Sequence, residues 1–187
     1  KKTDLQETVA PVVTGGYFNI DLHAISHKAR QLAWVDAVSV KRIWPDTVVM
    51  NITERQAIAR WGEKQLVTAR GEVFLPPGQM PKNLPLINGP KAMAAQMVKM
   101  FDKEKQRFSV LKLTLKELHL NKRGAWSMQF SQGMKVALGR TGLEERIQRL
   151  ADNYSAIEAR GKPLSVDMRY RHGIAVMYEE RGTTDDA

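Results

Sequence analysis

Four histidines are the first side chains to weigh for chemistry. His23 and His27 stand four residues apart, the spacing that puts two helical side chains on one face, where both could turn to a metal ion. A zinc site needs three or four protein ligands, and neither a cysteine nor a third clustered histidine completes this pair. The metalloprotease pattern also requires glutamate directly after the first histidine, a position held here by Ala24. The acidic pairs Glu144/Glu145 and Glu179/Glu180 are sequence neighbours, so on a helix or a strand their carboxylates diverge and make poor acid/base partners. Asp167 lies between Val166 and Met168 in an alternating run and faces away from them, on the side of Arg169, with which it can pair. No Gly-x-Ser-x-Gly elbow, phosphate loop or Gly-x-Gly-x-x-Gly turn is present. These residues build no active site, metal centre or cofactor pocket, and the sequence reads as that of a binding protein without catalysis.

The run Gly173-Ile174-Ala175-Val176-Met177-Tyr178 is more informative. It is apolar on both faces and free of proline. At a sheet edge, its unpaired main-chain donors and acceptors would invite a foreign strand, with backbone hydrogen bonds giving affinity and alternate side chains giving selectivity. In the middle of a sheet the same run would be paired on both sides and inert. The residues alone are consistent with both.

The elements that must position these groups follow from periodicity. Leu5, Val9 and Val12/Val13 predict a short first helix ending near Gly15-Gly16, and Leu22, Ile25, Ala29 and Leu32 a second, capped by Asn19 or Asp21. The period then becomes two: Val38 and Val40, then Val48, Met50 and Ile52, predict strands joined by the turn chemistry of Trp44-Pro45-Asp46. Short strands are predicted at 57–61, 65–69 and 73–75, followed by a Pro/Gly-rich loop that runs to Pro90. A helix over 91–105 precedes strands carrying Leu111/Leu113/Leu115, Trp126/Met128/Phe130 and Met134/Val136/Leu138. Leu143, Ile147, Leu150, Tyr154 and Ile157 mark a helix over 142–160, with Thr141 and Glu144 at capping-box spacing and Gly161 as its stop. Leu164, Val166, Met168 and Tyr170 predict a further strand, then Ile174–Tyr178 the last. The tail from Gly182 onward is polar and expected to fray.

The composition fits this order. The 187 residues are 43 % apolar and 26 % charged, enough for one large or two small cores, with a boundary expected near residues 55–60. The formal charge of +9 could attract nucleic acid, anionic lipid or an acidic protein. The tight basic groups, Lys103–Arg107, Lys122-Arg123 and Arg169-Tyr170-Arg171, are short and fall on separate elements without an RNA-binding or helix-turn-helix signature, which argues against nucleic acid. The absence of cysteine excludes disulfides and thiol chemistry. No run of eighteen apolar residues is present to span a membrane, and no signal peptide is read at Lys1-Lys2-Thr3-Asp4.

Read as a set, the motifs resemble the FtsQ/DivIB family of cell-division proteins. The residues that carry the resemblance are Val38–Asp46 with its Trp44-Pro45, Val49–Trp61 with its Ala57-Ile58-Ala59-Arg60-Trp61, Gly71-x-x-Phe74, Leu84–Pro90, the Gly139-Arg140 turn, and Asp167-Met168-Arg169-Tyr170-x-x-Gly173. The resemblance implies an α+β chain: a small POTRA domain over residues 1–56, lacking its first strand and so truncated at its amino end, a larger mixed β-domain with flanking helices over 57–182, and a flexible tail over 183–187. It implies a periplasmic part of a single-pass inner-membrane protein, anchored through an upstream segment absent from this chain and placed at the division septum. It also implies FtsB and FtsL as partners, with other divisome proteins, and no cofactor. Carried over by position, the docking surface comprises Arg169, Tyr170, Gly173, Ala175, Val176 and Tyr178, with Arg123 as a nearby cation. Val38, Val40 and Trp44 of the POTRA region serve recruitment. The alternative weighed against this is a POTRA-bearing chaperone or secretion component that binds client polypeptides.

Overall fold

The structure, a computed structural model, describes residues 2–13 and 17–180. The expected stop at Gly15-Gly16 and the expected tail lie outside these residues. The chain folds as α+β with two hydrophobic cores and two sheets.

The first core is built from two helices packed on a hairpin. Helix α1 (Lys2–Val9) continues as a short 3-10 turn through Val12 and buries Val9. Helix α2 (Leu22–Arg30) starts at Asp21, whose carboxylate accepts from the amides of His23 (2.8 Å) and Ala24 (3.1 Å). Those two bonds satisfy amides that the first helical turn leaves without partners, and they hold the Asp21 carboxyl below its usual range. Ile25 and Ala29, one turn apart, meet Trp34, Val35 and Val38 in the core. Strands β1 (Val35–Ile43) and β2 (Thr47–Glu54) pair antiparallel, with Trp44-Pro45-Asp46 at their tip.

The larger core lies on one face of a nine-stranded sheet. Its strands are β3 (Ala57–Trp61), β4 (Gln65–Thr68), β5 (Val73–Phe74), β6 (Leu86–Asn88), β7 (Leu115–Leu120), β8 (Trp126–Phe130), β9 (Lys135–Gly139), β10 (Pro163–Asp167) and β11 (Ala175–Tyr178). The spatial order is β11-β10-β9-β8-β7-β6-β3-β4-β5. Three pairs of neighbours are parallel, β3/β6, β6/β7 and β9/β10, and the last two are joined by helices, α3 (Ala94–Ser109) and α4 (Leu143–Glu158). Strands β7 and β9 run the same way, since each is antiparallel to β8, and both crossovers step toward β11. The right-handed rule then places both helices on one face. Their contact agrees: Lys103 and Arg107 of α3 both reach Glu144 of α4, the lysine at 2.7 Å.

Beneath the helices the strands alternate as their sequences predict. Trp126, Met128 and Phe130 of β8 point inward while Ser127 and Gln129 face the helix-free side. Phe108 of α3 meets Phe130 edge to face with ring centroids 4.9 Å apart, and Ile147, Leu150, Tyr154 and Ile157 of α4 complete the layer. Gly71 lets the β4–β5 turn lie against α3: a β-carbon there would stand 2.3 Å from the backbone of Ala95.

Two local expectations are overturned. The alternation of Leu111, Leu113 and Leu115 predicted a strand, but α3 runs on to Ser109, and the amides of Leu111 and Leu113 both fold back onto the Phe108 carbonyl at 3.0 Å. Lys112 turns left-handed (φ 58°), Leu113 enters the core from this turn, and the strand begins only at Leu115. The capping box at Thr141/Glu144 does not form either. The cap position falls one residue later, on a left-handed Gly142 that has no side chain to bond, and the Glu144 carboxylate pairs instead with two cations on α3. Those bonds hold its carboxyl below the usual range.

Candidate docking edge and the segment that leads into it

Strand β11 ends the sheet. It pairs antiparallel with β10 alone, matching Asp167 to Ala175, Val166 to Val176 and Ser165 to Met177. Among the described residues no second strand covers its outer side. The amide of Glu179 donates inward to the Lys162 carbonyl at 3.0 Å. Main-chain groups alternate in direction along a strand, so the amides of Met177 and Ala175 also face β10, while those of Val176 and Tyr178 face outward. Two donors and two acceptors thus line the open edge.

The side chains divide the same strand by face. Ile174, Val176 and Tyr178 are half-buried and close a shallow groove of about 170 Å³ with Asn153, Ala156 and Ile157 of α4 and with Arg160 just beyond its end. Ala175 and Met177 lie on the opposite face, Met177 being 58 % exposed. A strand added here would lay alternate side chains beside α4.

Between β10 and β11 the chain leaves the sheet, and this segment carries the remaining residues singled out from the sequence. Asp167 and Arg169 pair as their shared face predicted, with Nη2 to Oδ2 at 2.5 Å and the Arg169 amide on Oδ1 at 2.9 Å. The guanidinium holds the Asp167 carboxyl below its usual range. Tyr170 was expected on the face of Val166 and Met168. Those two are buried in the core, but the strand has ended by Asp167, and Tyr170 projects into solvent at 58 % exposure. Gly173 is exposed at the approach to β11.

Arg123 lies in the turn between β7 and β8, shaped by Asn121, whose side-chain oxygen accepts from the amides of Arg123 and Ala125 at 2.9 Å. That turn stands at the same end of the sheet as Asp167 and Gly173. It is removed from β11 by three strand spacings, roughly 14 Å. The three POTRA residues part company. Val38 is buried in the small core and has no side chain to offer a partner, and Val40 is half-buried beside it. Trp44 at the hairpin tip is 81 % exposed.

Sequence reasoning missed Arg146 and Arg149. They project from α4 onto the 168–171 segment, and the only signal near them is the Gly139-Arg140 turn they pass. Among the described residues, no group of three or more His, Asp or Glu side chains could hold a metal ion, and no helix is long and apolar enough to cross a membrane. His23 and His27 are exposed on α2.

Comparison with known proteins adds ancestry to this geometry. The family model described as Cell division protein FtsQ/DivIB, C-terminal, matches residues 59–169, and the one described as POTRA domain, FtsQ-type, matches residues 1–55. Among curated relatives named Cell division protein FtsQ, that of Allochromatium vinosum is 35 % identical over 93 % of this chain and 71 % of its own length. The Methylomonas methanica protein is 36 % identical, over 95 % of this chain and 73 % of its own. The one from Coxiella burnetii is 31 % identical, over 96 % and 75 %.

Proposed function

The chain belongs to the FtsQ/DivIB family of cell division proteins, and from that premise we propose that it is a non-catalytic divisome scaffold that accepts a strand of FtsB, in complex with FtsL, along β11. The observation that carries this reading is the outer side of β11: a proline-free strand whose Val176 and Tyr178 main chains are unpaired among the described residues. The partner strand would extend the sheet by backbone hydrogen bonds and fill the groove against α4. Tyr170 and Arg169 stand where the partner enters, and Tyr170 has the size and exposure of an interface anchor. Arg123 is too far for the added strand itself. It would meet an acidic residue only where the partner continues across the end of the sheet.

The same premise supports a periplasmic position and attachment to the inner membrane through an upstream segment. In the POTRA region, recruitment falls to Trp44, with Val38 and Val40 supporting the hairpin from below. Domain limits at residues 1–56 and 57–182 are part of the proposal.

The test is titration of an FtsB periplasmic segment into the protein and into Tyr170→Ala. Loss of an anchor of this kind costs about 2 kcal/mol, roughly thirtyfold in Kd. A folded Tyr170→Ala that binds as tightly as the parent overturns the site. Arg123→Ala should act mainly on the salt dependence, since an exposed ion pair is worth about 0–1 kcal/mol.

A further inference from the structure

Residues 168–174 connect β10 to β11, yet they belong to no strand or helix. Their amides find little to hold them: Met168 donates to the Ala137 carbonyl and Arg169 to the Asp167 side chain, both at 2.9 Å. Their carbonyls are held differently. Four in succession accept from two arginines on α4: Met168 from Arg149 Nη2 (3.4 Å), Arg169 from Arg146 Nη2 (3.2 Å), Tyr170 from Arg149 Nη2 (3.0 Å) and Arg171 from Arg149 Nη1 (2.8 Å). Arg146 is itself tied down, its Nη1 donating to the Leu138 carbonyl at 2.5 Å.

Only a guanidinium could do this, because its donors form a flat fork that reaches several carbonyls at once, where a lysine offers one compact charge. The two arginines are three residues apart and so share one face of α4. The backbone of β9 makes room for Arg146. Gly139, at φ 79°, passes close to Arg146, and a β-carbon there would stand 2.6 Å from Nη1 and 3.2 Å from Arg169 Cγ. Helix, glycine and segment therefore form one device.

We infer that Arg146 and Arg149 are positioning residues for the docking edge: they order residues 168–171 so that Tyr170 and the start of β11 are preset for an incoming strand. This inference rests on the docking reading above. A segment released from the clamp would sample many conformations, and apparent affinity falls by the fraction that remains competent. Neither arginine has to touch the partner for this to hold.

The experiment compares the whole chain with Arg149→Gln and Arg149→Lys. It reads backbone 15N order parameters over 169–173 in the free protein, then Kd for the FtsB segment across a salt series. With the clamp loosened, order parameters over 169–173 fall to about 0.6 or below while β8 and α4 stay at about 0.85, and Kd weakens about tenfold with an unchanged salt slope. Lysine restores the charge but not the fork, so it fails to restore either readout. Unchanged order parameters in the variants overturn the clamp. So does a loosened segment with unaltered affinity, or rescue by lysine. A changed salt slope also overturns it, since Arg149 would then meet an acidic partner directly. Should Arg149→Gln not fold, Arg149→Lys, which keeps stem and charge, carries the same comparison. If the parent protein binds no FtsB segment, the docking reading fails by itself, and the order parameters over 169–173 still decide whether the arginines order the segment.

Discussion

The nine-stranded sheet ends differently on its two sides. At one end, β5 is two residues long and is followed, after Leu75, by Pro76-Pro77. The small unit stands beside it: the Arg55 guanidinium lies over the Phe74 ring at 5.8 Å, Arg55 Nε donates to the Val35 carbonyl at 3.2 Å, and Arg70 pairs with Asp36 at 2.6 Å. At the other end, β11 is twice as long, carries no proline, and has no neighbour on its outer side among the described residues. Short strands, prolines and covering elements are how proteins blunt an edge against unwanted pairing. Among the described residues, one edge of this sheet has all three and the other has none. That asymmetry is what the proposed docking on β11 requires.

The comparison is broken most severely by placing proline on the open edge. Val176→Pro removes a donor that faces outward, so the pairing with β10 survives and the fold is kept. Docking loses a hydrogen bond and meets the ring, and Kd for the FtsB segment should rise about tenfold or more by isothermal titration. Equal binding by a folded Val176→Pro would mean that β11 is not the docking strand.

The reverse change is expected to be weaker. Replacing Pro76 and Pro77 by Val and Thr restores donors beyond β5 and lets that strand lengthen. Sedimentation velocity should then show stronger concentration-dependent association than the parent's, held down by the small unit beside it. A variant that associates no more than the parent would show that the small unit alone protects this edge.

The smallest effect concerns pH. Arg169 holds the folded Asp167 carboxyl below its usual range, so the pair adds stability above the ordinary carboxylate pKa of about 3.9 and loses it as pH falls through the lowered folded value. The shift of the Asp167 side-chain carboxyl carbon, Cγ, should therefore be flat from neutral pH down to about pH 5 and move only in stronger acid. A transition near neutrality would show that Arg169 is not its partner.

Much of this was legible in the sequence because the relevant forces are periodic. The stripe Ile147-Leu150-Tyr154-Ile157 and the alternation Trp126-Met128-Phe130 report burial on one face, and both fold as read. The open edge was half legible: a proline-free apolar run is visible in one dimension, but its place at the end of the sheet depends on strand order. Leu111-Leu113-Leu115 misled because a helix end and its return turn can imitate a period of two over five residues. Thr141 and Glu144 misled because the helix starts one residue later, at a left-handed Gly142, and leaves the Glu144 carboxylate to cations distant in sequence. The arginine clamp was invisible for a related reason. Bonds from side chains to the carbonyls of a non-local segment leave no spacing to find, and Gly139 is their only trace.

The alternation of main-chain directions along β11 gives the most direct measurement. Residue-resolved amide exchange should find Met177 and Glu179 slow in the free protein and Val176 and Tyr178 fast, with the latter two slowing once the FtsB segment is added. Val176 and Tyr178 already slow in the free protein, or unchanged at saturating FtsB segment, would contradict the account.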